Sequence, residues 1–297
     1  MDCGFAPIGK DKNFSGNFDG QNNEILNIYI YTTLNAGLFG SAGSGATISN
    51  VGVSGKIETT TWGKYTGGIV GYGQRYGKII IQNCWNKAEI NGAQYTGGIC
   101  GQTGYSTIVG CYNMGNVTGE TGTGGILGVG MSETVINSYN LGTIVDRGWA
   151  ASGIIGSTDS YTNTVYNSYN MGTIKVLDSA VSYRTANGIA WWGNRNEKIV
   201  VIKNCYNSGN LIGGGWSGEC TLEIGTGTTG DGENCYYLEK EQNGKIDANA
   251  IAFTKETSND VVAGLNQYIE EHLEDETTNS TTWKKWKVGE NGYPTFE

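Results

Sequence analysis

Apolar residues in this chain come in short runs set apart by glycine and asparagine, and the runs recur at a nearly constant distance. Gly67-Gly68-Ile69-Val70-Gly71 returns as Gly97-Gly98-Ile99-Cys100-Gly101, Gly124-Gly125-Ile126-Leu127-Gly128 and Ser152-Gly153-Ile154-Ile155-Gly156. Asn187-Gly188-Ile189-Ala190 is a worn copy and Gly37-Leu38-Phe39-Gly40 an early one. Their marker glycines at 37, 68, 98, 125, 153 and 188 lie 31, 30, 27, 28 and 35 residues apart. A second phrase interleaves: Asn83-Cys84-Trp85-Asn86, Gly110-Cys111-Tyr112-Asn113, Asn137-Ser138-Tyr139-Asn140, Asn167-Ser168-Tyr169-Asn170 and Asn204-Cys205-Tyr206-Asn207. Ile81, Ile108, Val135, Val165 and Ile202 precede it by two, and Ile90, Val117, Ile144, Ile174 and Leu211 follow its first position by seven. Each unit therefore predicts three short β-strands.

Such a unit cannot bury a core alone, and stacking on its neighbours is the remedy. Its length and three strands suit one coil of a right-handed parallel β-helix, so residues 1–240 are read as an all-β β-solenoid of 27–35 residues per coil. The glycines are expected at corners that require positive φ. Asparagine tolerates that region too and can hydrogen-bond its counterpart one coil away. Asn at one register predicts an internal ladder, against the alternative of polar ligands facing solvent. Tyr112, Tyr139, Tyr169 and Tyr206 share a register and are expected to stack.

The alternation of G-G-I-x-G with I-x-N-C-Y-N-x-G resembles the GLUG-motif repeats of bacterial surface and secreted proteins. Phe14-Ser15-Gly16-Asn17-Phe18-Asp19-Gly20, followed by Ile25-Leu26-Asn27-Ile28, resembles the opening phrase that often precedes them. The resemblance covers residues 5–240 and implies an extracellular place on a bacterial cell surface. It specifies no activity, because these repeats build scaffolds in adhesins, peptidase-associated regions and other surface proteins.

Gly makes up 49 of the 297 residues and Pro only 2, without the three-residue period of collagen, and 11% aromatic content argues against disorder. Net charge is −9, of which −7 lies from Glu233 onward, where 13 acidic residues meet 6 basic ones. The repeats carry no basic stripe, which argues against a nucleic-acid partner and leaves anionic lipid little to attract. No apolar run is long enough to insert in a membrane. Of seven cysteines, Cys84, Cys111, Cys205 and Cys235 share one register with Ser138 and Ser168, so the slot calls for a small buried side chain. A Cys84–Cys111 disulfide between neighbouring coils suits parallel stacking poorly.

The chain opens directly on a coil with no apolar leader after Met1, which is read as a piece of a longer multidomain protein, monomeric within it. Ile25, Ile28 and Ile30 mark one face of its first strand. Residues 241–297 are assigned as a C-terminal capping segment. Within it Asn259–Leu273 reads as an amphipathic helix with Val262, Leu265, Ile269 and Leu273 on one face and Ser258 or Asn259 as N-cap. Trp283, Trp286, Tyr293 and Pro294 follow, resembling the closing segment of such repeat regions.

Catalytic chemistry finds little support. His272, the single histidine, reads as a solvated helix residue. Hydrolysis of a glycan needs paired carboxylates, whereas Glu58, Glu89, Glu120, Glu133, Asp146, Asp159, Asp178 and Glu197 are scattered. Asp146-Arg147 and Glu197 near Arg195 are the local acid and base neighbours. No cofactor is expected; calcium at Asp231, Glu233 and Asn234 is conceivable without the repeat pattern of a calcium roll. Insertions at 59–64, 146–150, 177–187 and 213–219 mark the face where repeat proteins bind. At or beside them stand Trp62, Trp149, Trp191, Trp192 and Trp216, the candidate binding residues. The reading is a non-catalytic adhesion or stalk module contacting a glycan or a surface protein. A carbohydrate-active β-helix enzyme and a plain spacer are the alternatives.

Overall fold

The computed structural model describes residues 3–59, 62, 64–159, 161–177, 185–191, 200–213, 221–225, 232–240, 249–272 and 283–297. It is a β-solenoid of stacked parallel strands with one helix near the C-terminus. Each coil runs through three sheets. A five-stranded sheet holds Phe39–Ala42, Val70–Gly73, Cys100–Gly104, Leu127–Met131 and Ile155–Thr158. A twenty-stranded sheet takes three short strands from a typical coil, such as Thr107–Val109, Tyr112–Asn113 and Val117–Gly119. A six-stranded sheet begins at Tyr65–Gly67 and Gln94–Gly97 and ends at Thr221–Leu222. The long sheet reaches Ile251–Phe253, which pairs in parallel with Tyr236–Leu238.

The repeat phrases coincide with the registers. Cys100 pairs Leu127 and Leu127 pairs Ile155, while Tyr112, Tyr139, Tyr169 and Tyr206 pair in succession. The β-branched positions point inward: Ile81, Ile108, Val135, Val165 and Ile202 form one fully buried file, and Ile69, Ile99, Ile126, Ile154, Ile189 and Ile224 another. Burying each such side chain contributes about 1.5–3 kcal/mol, and that is what stacking adds to a unit that could not fold alone. Cys84, Cys111, Ser138, Ser168, Cys205 and Cys235 are buried in one file, and the cysteines among them are free thiols.

Asparagine forms two ladders. The inner one is fully buried: Asn86, Asn113, Asn140 and Asn170 each donate from Nδ2 to Oδ1 of the next, down to Asn207, all at 2.8 Å. The outer one joins Asn137, Asn167, Asn204 and Asn234 at 2.6–2.7 Å. Its members have φ near +50°, and Gly110, with φ +64°, occupies the same place in its coil. Positive φ therefore recurs at this bend of the long sheet from coil to coil. The doubled glycines of the G-G-I phrase, expected to need positive φ, do not adopt it. They are glycines because the next coil and the ladder Asn leave no room for a Cβ.

The C-terminal segment packs on the flank of the long sheet. Its helix, Ser258–Glu271, buries Val261, Leu265, Tyr268 and Ile269 against Tyr236, Phe253, Trp283 and Trp286. The covered face keeps the expected Leu265 and Ile269, with the expected Val262 half-buried against the same cluster, and takes in Val261 and Tyr268 beside them. The N-cap is Thr257, without a side-chain capping bond, and Leu273 lies outside the described residues. A hairpin of Trp286–Val288 and Pro294–Phe296 crosses the tyrosine stack. Trp286 Nε1 donates to Asn167 Oδ1 at 2.6 Å, Lys284 N donates to Asn137 Oδ1 at 2.9 Å, and Tyr206 donates to the Pro294 carbonyl. At the other end Cys3–Gly4 pairs antiparallel with Tyr31 and Ile30 of the first long strand.

Candidate functional site

Aromatic side chains collect at the junction of the six-stranded and five-stranded sheets. Tyr65 and Tyr95 occupy the same position before the T-G-G turn in successive coils and stack at 6.0 Å with planes 6° apart. Tyr65 also stacks on Tyr72 at 5.4 Å. Burial, and after it the charge of Asp159, raises the Tyr95 hydroxyl above its ordinary pKa, so the phenol stays a neutral donor at physiological pH.

Trp149 is presented by the turn that follows the strand Ile144–Asp146. The Asp146 side chain is fully buried, and its Oδ1 accepts the N–H groups of Gly148 and Trp149 while Oδ2 accepts the Thr123 hydroxyl at 2.6 Å. Arg147 reaches back to Asn91 Oδ1 at 3.0 Å. Aspartate in this place ties the turn to its own backbone two and three residues on, and the indole projects outward, 58% exposed. Trp62, at the matching entrance to Tyr65–Gly67, is 59% exposed. Trp191 follows the bridge of Ala190 to Ile155 and donates its backbone N–H to the Ile155 carbonyl at 3.2 Å.

These three tryptophans meet around a groove of about 330 Å³, lined also by Gln94, Tyr95, Thr121, Val129, Ser157, Thr158 and Asp159. Trp62, Trp149 and Trp191 were legible as loop aromatics, and the coil stacking brings them together. Trp192 and Trp216 lie outside the described residues. Tyr95 escaped the sequence reading, although the repeated Tyr-Thr-Gly-Gly of 65–68 and 95–98 was a usable signal, and Asp159 stood there only among the scattered acids.

Several acids are engaged elsewhere, and Asp178 lies outside the described residues. Glu223 is buried and accepts Asn207 Nδ2 at 3.0 Å, ending the inner ladder. Glu233 holds Lys203 at 2.7 Å and the Tyr268 hydroxyl at 2.7 Å, and Asn234 belongs to the outer ladder; Asp231 and Glu197 fall outside the described residues. His272, expected to be solvated, stacks on Tyr268 with ring centres 3.9 Å apart, because the helix face it closes is packed. No helix of the described residues is long and apolar enough to cross a membrane.

Glu133 is 1% exposed and accepts the backbone N–H groups of Ser106 at 2.8 Å and Met131 at 3.3 Å. Burial outweighs these bonds and pushes its carboxyl up to about 8. The folded protein thus keeps a proton that the unfolded chain releases near pH 4.5. Its contribution to stability is complete below that value and is lost as pH rises through 8, on the order of 5 kcal/mol in all. Urea midpoints measured from pH 5 to 8 should fall for the native protein and stay level for Glu133→Gln; equal slopes would refute the assignment.

No protein-family model and no curated protein matches this sequence. Among solved structures, the chain is similar to a Bacteroides ovatus protein provisionally named an immunoglobulin A1 protease. The likeness has a TM-score of 0.57 and 21% identity, and covers 94% of this chain and 76% of the other. At that identity it concerns the fold.

Proposed function

We propose that this β-solenoid is a non-catalytic module of a bacterial cell-surface protein, built from GLUG-type repeats, and that it adheres through the aromatic groove to a glycan or a glycan-bearing surface protein. The observation that carries this reading is the meeting of Trp62, Trp149 and Trp191, each from a different coil, with Tyr95 at one opening. Indole and phenol faces stack on the apolar faces of sugar rings, while Gln94, Ser157 and Thr158 supply hydrogen bonds that orient them. The in-register coils give a stiff support, so the same module also serves as a stalk.

A carbohydrate-active enzyme is the second reading, and Asp159 in the groove is its observation. Glycoside hydrolysis uses two carboxyl groups about 5–9.5 Å apart. Asp159 is the one carboxylate among the described residues that line the groove. The name of the Bacteroides ovatus protein adds peptide hydrolysis as a further possibility. The single histidine of this chain, however, stacks on Tyr268 in the tail and is not among the groove residues.

The deciding experiment is a glycan-array screen of the native protein and the variant Trp62→Ala, Trp149→Ala, Trp191→Ala. Each lost aromatic contact is worth about 0.5–1.5 kcal/mol, so the triple variant should bind at least about tenfold more weakly while keeping its circular dichroism. Absence of binding by the native protein would favour the spacer, and release of sugar products would favour the enzyme.

A further inference from the structure

We propose that a second cleft, where the chain leaves the five-stranded sheet, binds an acidic sugar and holds its carboxylate through Lys78. The site is separate from the aromatic groove and goes beyond it. Lys78, Tyr105 and Ser132 share one register in successive coils, two residues before the paired Ile80, Thr107 and Thr134. Together these six line an open cleft of about 310 Å³. The bend that carries the first three asks for positive φ. Gly45 holds the same place one coil earlier at +76°, and Lys78, Tyr105 and Ser132 hold it at +50°, +59° and +72°. At the outer ladder the equivalent demand is met by asparagine and glycine. Here larger and less tolerant residues stand at an angle that side chains rarely adopt, and such strain persists where it serves a site.

The chemistry of the lining selects the ligand. Lys78 is exposed and, like Arg75 three residues before it, pairs with no carboxylate among the described residues. The Thr107 and Ser132 hydroxyls are bound by no described residue, and the Thr134 hydroxyl accepts from Thr164 at 3.1 Å, which leaves its own proton to give. A cation beside three hydroxyls matches a pyranose bearing a carboxylate: the ammonium donates to the anion, and the hydroxyls donate to and accept from those of the sugar. Ile80, 41% exposed, adds an apolar edge for the C–H groups of the ring. The floor is fixed in advance. Glu133 Oε2 accepts the Ser106 N–H at 2.8 Å and Ser106 Oγ accepts the Ile79 N–H at 3.1 Å, so three coils are tied together under the cleft. Little ordering is then left to do on binding. Glu133 itself keeps its proton at neutral pH and so sets no opposing charge beneath an anion.

The test is calorimetric titration of the full chain with disaccharides ending in glucuronic, galacturonic or N-acetylneuraminic acid, each beside its carboxyl-reduced twin. At least one acid should bind about tenfold or more tightly than its twin, the worth of one hydrogen bond to a charged group. Lys78→Gln should erase that preference with circular dichroism and urea midpoint unchanged, and Lys78→Arg should retain it. The variant Trp62→Ala, Trp149→Ala, Trp191→Ala should retain it too; loss there would put the acid in the groove and overturn the proposal. No binding by any of the acids, equal binding of acid and twin, or a preference that survives Lys78→Gln also overturns it. So does inorganic phosphate that binds as tightly as the acidic sugar, since the cleft would then select charge alone. The groove reading is judged separately, by the glycan array.

Discussion

Gly125→Ala is expected to unfold the central coils. A Cβ built there lies 2.1 Å from the Gly153 carbonyl oxygen, 2.6 Å from Asn140 Cγ and 2.7 Å from Asn140 Cβ. The first is backbone of the next coil, which also receives no slack from its other side, since Gly153 N–H bonds to the Asn187 carbonyl at 3.1 Å. The second belongs to the buried ladder. Relief requires the coils to separate, and the same contact recurs at Gly98, Gly153 and Gly188. The loss should exceed about 4–5 kcal/mol, a large part of the total stability of an ordinary domain. Gly45→Ala is the control: its φ is +76° but nothing stands within 4 Å, so only about 1–2 kcal/mol of backbone strain applies. Urea unfolding of the two variants decides the matter, and a Gly125→Ala protein as stable as Gly45→Ala would show that the coils can yield.

Asn140→Asp is the second substitution expected to have a large effect, although it changes one group of similar size. Asn140 Nδ2 donates to Asn170 Oδ1 at 2.8 Å and to the Gly142 carbonyl at 2.9 Å, and Oδ1 accepts Asn113 Nδ2 at 2.8 Å and Gly142 N–H at 3.2 Å. Aspartate keeps the acceptor and replaces the donor by oxygen, which then faces two oxygens in a site of 0% exposure. Each unsatisfied buried group costs about 1–3 kcal/mol, and the unpaired charge adds to this. Burial must raise the carboxyl pKa of the variant, so its native state binds a proton that the unfolded chain releases. Stability should accordingly be about 3 kcal/mol or more below native at pH 7 and recover as the pH falls toward 4, where one protonated oxygen can donate again. Recovery on acidification is the discriminating readout. A variant that loses stability equally at both pH values would mean that the ladder is a packing feature and not a hydrogen-bonded one.

Both effects bear on how much of the molecule was written in its repeats. The inward files of Ile and Val, the small Cys and Ser file, the tyrosine stack and the Asn ladder were all legible, because each coil repeats one register and parallel stacking places equal positions over one another. The tyrosine rings indeed stack at 4.7–5.1 Å from Tyr112 through Tyr206. The reason for the doubled glycines was misread. Sequence shows that a position excludes side chains and does not show whether backbone angle or a neighbouring coil is the cause. The helix face was legible through Val262, Leu265 and Ile269, and the structure widens it by burying Val261 and Tyr268 as well.

The chain therefore determined, by local pattern alone, its solenoid architecture, its coil length and the identity of its core. Periodicity is a property of neighbours in sequence, and stacking multiplies it without further instruction. Tertiary structure alone decided that Trp62, Trp149 and Trp191, drawn from separate coils, share one groove with Tyr95 and Asp159. It also decided that the C-terminal hairpin lies across the tyrosine stack and engages Asn137 and Asn167. The tryptophans, Asp159 and the hairpin are not periodic; where they meet the repeats depends on where each coil ends and how its turn is tied down, which no repeat encodes.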